Sequence, residues 1–89
     1  HGNLNFIYFC EAQLVWDNIM AINILNYLKQ NPDTVVVALT GTGHAQKVAV
    51  PRQISSRSQL PYKVILPEVP GSLDAQTVTL KEADYIILP

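Results

Sequence analysis

Cysteine is nearly absent: Cys10 stands alone among 89 residues. That excludes an intrachain disulfide and any zinc motif built on cysteine pairs. Positive charge is sparse as well. Six Lys and Arg are scattered against seven Asp and Glu, for a net charge of −1. No basic stripe exists to neutralise phosphates, which argues against nucleic acid as a partner. No run approaches the ~18 apolar residues of a membrane span. The opening residues carry neither a basic segment nor a small-residue cleavage site, so the targeting of an exported parent would lie outside this chain. Repeats and low-complexity segments are missing too.

What is present is apolar: 48% of the residues are hydrophobic. A chain of this length makes one small domain and buries only about 60–65% of its unfolded surface, so its core is marginal. The start, "HGNLNFIYF", enters an apolar run almost at once, and the chain stops just past the apolar "YIIL". Residues 1–89 therefore read as a single α/β unit that is a fragment of a larger domain, or one that needs a partner surface.

Residues Phe6 to Gln30 contain no proline or glycine and predict one long helix, ended by Asn31-Pro32-Asp33. Val35 to Leu39 is a short continuous apolar run, the pattern of a strand covered on both faces as in a parallel sheet. Ala45 to Val50 reads as a helical turn. Pro51 suits the first position of a short helix through about Arg57. Tyr62 to Leu66, bounded by Pro61 and Pro67, predicts a second strand, and Tyr85 to Leu88 a third. The expected fold is α/β: a long amphipathic helix packed on a small, largely parallel sheet, with short additional helices.

On a wheel at ~100° per residue, Phe6, Ile7, Cys10, Leu14, Ala21, Ile24, Leu25 and Leu28 share one side of the long helix. Glu11, Asn18, Asn26 and Lys29 lie opposite. Two polar residues break the apolar arc. Gln13 and Asp17 fall near its middle, four apart, stacked on one face. A buried carboxylate needs a partner, so Asp17 either clamps neighbouring structure or lines a site with Gln13. Cys10, on the same arc, is expected to pack as a small hydrophobe. Val15, Trp16, Ile19 and Ile22 spill onto the polar side, which suggests a covered interface.

The helix from Asp17 to its end is about 13 residues, or roughly 20 Å. A strand from Val35 to Thr40 running back at ~3.3 Å per residue covers a similar distance. Asp17 should therefore meet Gly41 to His44, with Gln13 one turn beyond. Gly41 and Gly43 would turn the backbone off the strand and deliver His44, the one internal histidine, to the carboxyl edge where open α/β sheets bind ligands. A purely structural hydrogen bond of His44 to Asp17 or to a carbonyl is the alternative. Lys47 lies past the turn and is expected to face solvent.

At these residues the chain resembles the ChaN-like haem-binding family of bacterial lipoproteins, in the Tiki and TraB superfamily. The resemblance rests on Ala12, Gln13, Trp16, Asp17, Met20 and Ala21, then on Gly41, Gly43, His44, Pro51 and Arg52, and it is dense from Phe6 to Leu66. Ala49 stands where the family usually has glycine. The superfamily's N-terminal motif has no counterpart here, so the resemblance is to a C-terminal half. It implies haem binding in iron uptake at the bacterial cell envelope, on a membrane-anchored or periplasmic protein, with His44 as the metal-ligating candidate. Gln13, Asp17, Gly41, Gly43 and Arg52 would line the site, Arg52 pairing with a propionate. Haem iron also accepts tyrosine, so Tyr8, Tyr27, Tyr62 and Tyr85 stay open as ligands. Implied partners are haem, the missing half of the domain and a second copy of the chain.

Two other readings remain. Some superfamily members resemble metal-dependent hydrolases, and Asp17, His44 and Glu11 could then hold a divalent metal as a half-site. Those residues are too few for a closed site on their own, which tilts the reading away from an enzyme. The third is a structural or dimerisation fragment without chemistry.

Overall fold

The computed structural model describes residues 2–89. Helix α1 spans Gly2–Gln30, starting one turn earlier than the Phe6 expected from the absence of proline and glycine. It ends where Asn31 takes over the local bonding. The Asn31 backbone N–H and its side-chain amide both donate to the Tyr27 carbonyl, at 2.9 and 3.0 Å. Thr34 then donates through N–H and Oγ1 to the Asn31 carbonyl, closing the turn. Two short helices follow, α2 at Thr42–Ala45 and α3 at Val50–Ser55, with Pro51 in the first turn of α3 where its missing N–H costs nothing.

Strands β1 (Ile65–Pro67) and β2 (Tyr85–Ile87) pair in parallel, Leu66 opposite Ile86. Leu66 and Val64 are buried with Leu73 and Ala83, and Ala45, Val78 and Ile86 pack around them. The molecule is thus a small α/β unit, in which α1 packs on α3 and α2 leans on β1.

The expected first strand is different. Val35 to Leu39 is extended but belongs to no sheet, and among the described residues its backbone makes no hydrogen bond. Most of its side chains are exposed, Ala38 among them. Val36 and Thr40 are half-buried, with Thr40 Oγ1 3.5 Å from Met20 Sδ of α1. Val35, Val37 and Leu39 point outward, 91%, 82% and 95% exposed. The apolar run signals a need for cover on both faces; this chain supplies α1 on one face only, and its two paired strands lie elsewhere.

The apolar arc of α1 is corrected in the same way. Ala21 and Asp17 are buried, and Ile24, Leu25 and Leu28 are half-buried. Phe6, Ile7 and Cys10 are exposed, because the rest of the chain folds back only as far as the level of Gln13 and Gly43, and Leu14 is exposed as well. Asn18, assigned to the solvent side, instead faces the end of α3: its Oδ1 accepts from the Arg57 guanidinium and its amide donates to the Leu14 carbonyl.

An extended segment with unpaired N–H and C=O groups and three outward apolar side chains is a template for another strand. Sedimentation should show concentration-dependent association of this chain. Val37→Lys should reduce that association with little change in stability, since exposed substitutions usually stay within about 0.5 kcal/mol. A monomer at high concentration would contradict this expectation.

Candidate functional site

Three pieces of chain converge beside the middle of α1. Asp17 is placed by the helix and is 8% exposed. The extended segment runs back along the helix and delivers α2. His44, in α2, meets Asp17 with Nδ1 2.6 Å from Oδ1. The two side chains are 20% and 11% exposed. A buried carboxylate is an acceptor, so the network assigns the proton to Nδ1. Nε2 then keeps its lone pair, and among the described residues it makes no hydrogen bond.

Gln13, one turn before Asp17, lies against Gly43: a β-carbon there would sit 3.7 Å from Gln13 Nε2. The glycines do not act as expected. Gly41 has φ −60° and ψ 149°, ordinary extended backbone, and Gly43 lies within α2. Neither uses the left-handed region, which only Gly71 visits among the described residues. What Gly41 and Gly43 supply is bare backbone: nothing lies within 4 Å of a β-carbon built at Gly41. Arg52, on α3, is exposed and makes no side-chain hydrogen bond among the described residues. Gln13, Asp17, Gly43 and His44 are therefore brought together, with Gly41 at the start of α2, and Arg52 stands apart from their hydrogen bonds.

Beyond Gln13 the same face of α1 continues through Cys10, Phe9 and Phe6, at helical spacing. These are exposed, Phe6 by 65% and Phe9 by 59%. The exposed aromatic stripe of α1 thus begins one turn beyond Gln13, on the helix face that holds Asp17 and its partner His44. Tyr8, Tyr27, Tyr62 and Tyr85 are exposed and form no side-chain hydrogen bond among the described residues. They are spread over α1, the approach to β1 and the start of β2, and do not gather at His44.

A second polar cluster went unread. Lys47 is half-buried: its Nζ donates to Asp84 Oδ1 at 2.8 Å, and its N–H to the Glu82 carbonyl at 2.9 Å. Asp84 Oδ2 accepts from the Val64 N–H at 2.8 Å. The Lys47 hydrogen bond, then that of Val64, holds the Asp84 carboxyl below the usual carboxylate range. The one available signal was an acidic residue directly before the apolar "YIIL".

The comparison that decides the family covers this region. The model of the family described as haem-binding uptake, Tiki superfamily, ChaN matches residues 2–54, more than half of the chain. The chain belongs to that family. No curated protein and no solved structure matches it significantly. The ChaN match contains α1, the extended segment, α2 and nearly all of α3. It therefore includes every residue of the Gln13–Asp17–His44 cluster, and it stops before Lys47's partner Asp84. Among the described residues no helix is long and apolar enough to cross a membrane.

Proposed function

We propose that this chain binds haem at the His44 face, as part of a haem-uptake protein of the bacterial envelope. One observation carries the reading: His44 is tied through Nδ1 to a buried carboxylate, which leaves Nε2 without a hydrogen bond among the described residues, on a helix face that continues into exposed Phe9 and Phe6. A carboxylate on the far nitrogen fixes ring orientation and raises the basicity of the near one, as in metal-ligating histidines generally. These residues fit haem. The imidazole can ligate iron or hydrogen-bond a ligand supplied by another chain. The bare backbone at Gly41 and Gly43 admits a flat ring, the apolar face of α1 shelters it, and Arg52 is free to pair with a propionate.

Asp17 positions His44 and does not reach the ligand. Gln13 marks the polar end of that stripe. The uncovered segment Val35 to Leu39 supports the further reading that this unit is completed by more sheet, from the rest of a larger domain or from a second copy. A hydrolytic metal half-site is less well supported: among the described residues no group of three His, Cys, Asp or Glu converges, so further ligands would have to come from elsewhere.

Hemin titration followed at the Soret band tests the proposal, and the glycines sharpen it. Gly43→Ala meets only ordinary contact and Gly41→Ala meets nothing. Gly41→Ala should keep wild-type stability, and Gly43→Ala, within α2, should gain about a few tenths to 1 kcal/mol from helix propensity. Both should nevertheless bind hemin more weakly, because the new methyl occupies the bare face. Unchanged affinity in both would place the ligand away from α2.

A further inference from the structure

We infer that Asp84, acting through Lys47, is a positioning residue for His44. The inference rests on the haem reading for its functional meaning but not for its structural test.

Helix α2 is a single turn with no side-chain cap. It cannot hold His44 in place by its own stability, since so short a helix is far below the length that persists alone. Besides the His44–Asp17 bond and its contact with α3, two anchors tie it to the β layer. Ala45 packs on the Val64, Leu66, Leu73 and Ala83 core. Lys47, three positions after His44, is bonded to the segment just before β2, to Glu82 through its backbone and to Asp84 through its side chain. Asp84 is the hub of that second anchor. One carboxylate oxygen takes Lys47, the other takes the Val64 N–H, and the Asp84 N–H donates to the Val64 carbonyl at 2.9 Å. A single side chain thereby joins the approach to β1, the approach to β2 and the segment that carries His44.

An exposed lysine–aspartate pair contributes little to stability. This pair differs in that both side chains are largely covered, 21% and 15% exposed, and the carboxylate is already committed to a backbone N–H. Removing either partner leaves the other under-satisfied, and the segment can relieve that only by moving. His44 then loses its register with Asp17, and the direction of Nε2 is no longer fixed. The match to the ChaN family ends at residue 54, so Asp84 lies beyond it.

The test uses the intact protein and the variants Lys47→Met, Asp84→Asn and Lys47→Arg. The His44 ring nitrogens and the Nδ1 proton are observed by NMR, with far-UV circular dichroism as the check on folding. The hydrogen-bonded Nδ1 proton should be present in the wild type and in Lys47→Arg, which keeps the ion pair. It should be lost or broadened in Lys47→Met and Asp84→Asn while helix content is retained. Hemin affinity of those two variants should fall about tenfold or more, the usual cost of losing a group that orients a ligating histidine. If Asp84→Asn unfolds, Lys47→Met decides, because it leaves the Asp84 bonds to Val64 in place. Unchanged ring signals in a folded Lys47→Met protein overturn the inference, and so does global unfolding of both variants, which would make the pair a determinant of the fold. A wild-type protein that shows the ring signature and its loss in the variants, yet binds no hemin, leaves the clamp standing and overturns the haem reading.

Discussion

His44→Ala should lower hemin affinity by at least about tenfold and shift or flatten the Soret band, as expected when a group at or next to the metal is lost. The same substitution should destabilise the fold by about 1–3 kcal/mol, because it strands the buried Asp17 carboxylate without its 2.6 Å partner. The two effects separate. Replacing Asp17 with leucine alongside His44→Ala removes the stranded charge and should recover stability, since exchanging both partners for apolar groups is close to neutral. It should not recover hemin binding. Wild-type affinity in His44→Ala would reduce the pair to a structural hydrogen bond.

Leu66→Ala should cost about 2–5 kcal/mol, the range for truncating a buried leucine. Leu66 is the one large side chain that is fully buried among the described residues. It sits opposite Ile86 and anchors the cluster on which Ala45 rests. Small domains have only about 5–15 kcal/mol in total, so the urea midpoint should drop sharply. Hemin affinity should fall with it, since α2 loses the surface it leans on. A change below about 1 kcal/mol would mean that the β layer is not the support of the site.

The arrangement of Gln13, Asp17 and His44 could be read from the sequence, and for physical reasons. Gln13 and Asp17 stood out because they break an apolar arc, and a buried carboxylate demands a partner. The length match between the end of α1 and the return segment brought His44 to the same level. The helix itself was legible because nothing in it breaks a helix and Asn31-Pro32 ends it.

What failed has a common cause. An apolar run states how much cover a segment requires, not where that cover comes from, so Val35 to Leu39 and the Phe6, Ile7, Cys10 and Leu14 end of α1 were assigned burial that this chain does not provide. Lys47 was assigned to solvent because its partner is 37 residues away, a distance at which local pattern carries no information. The glycines were assigned a turn on composition, whereas their backbone is ordinary and their role is the space they leave. Strand β1 begins at Ile65 instead of Tyr62 because Tyr62 and Lys63 have no opposite strand.

In the proposed complex, Nε2 of His44 meets the porphyrin-bound metal. Titrating the intact protein with gallium(III) protoporphyrin, a diamagnetic stand-in for haem, and following the His44 ring nitrogens by NMR tests it most directly. The Nε2 resonance should shift and saturate while the Nδ1 proton stays bonded to Asp17. Tight porphyrin binding with both ring nitrogens of His44 unmoved would contradict it.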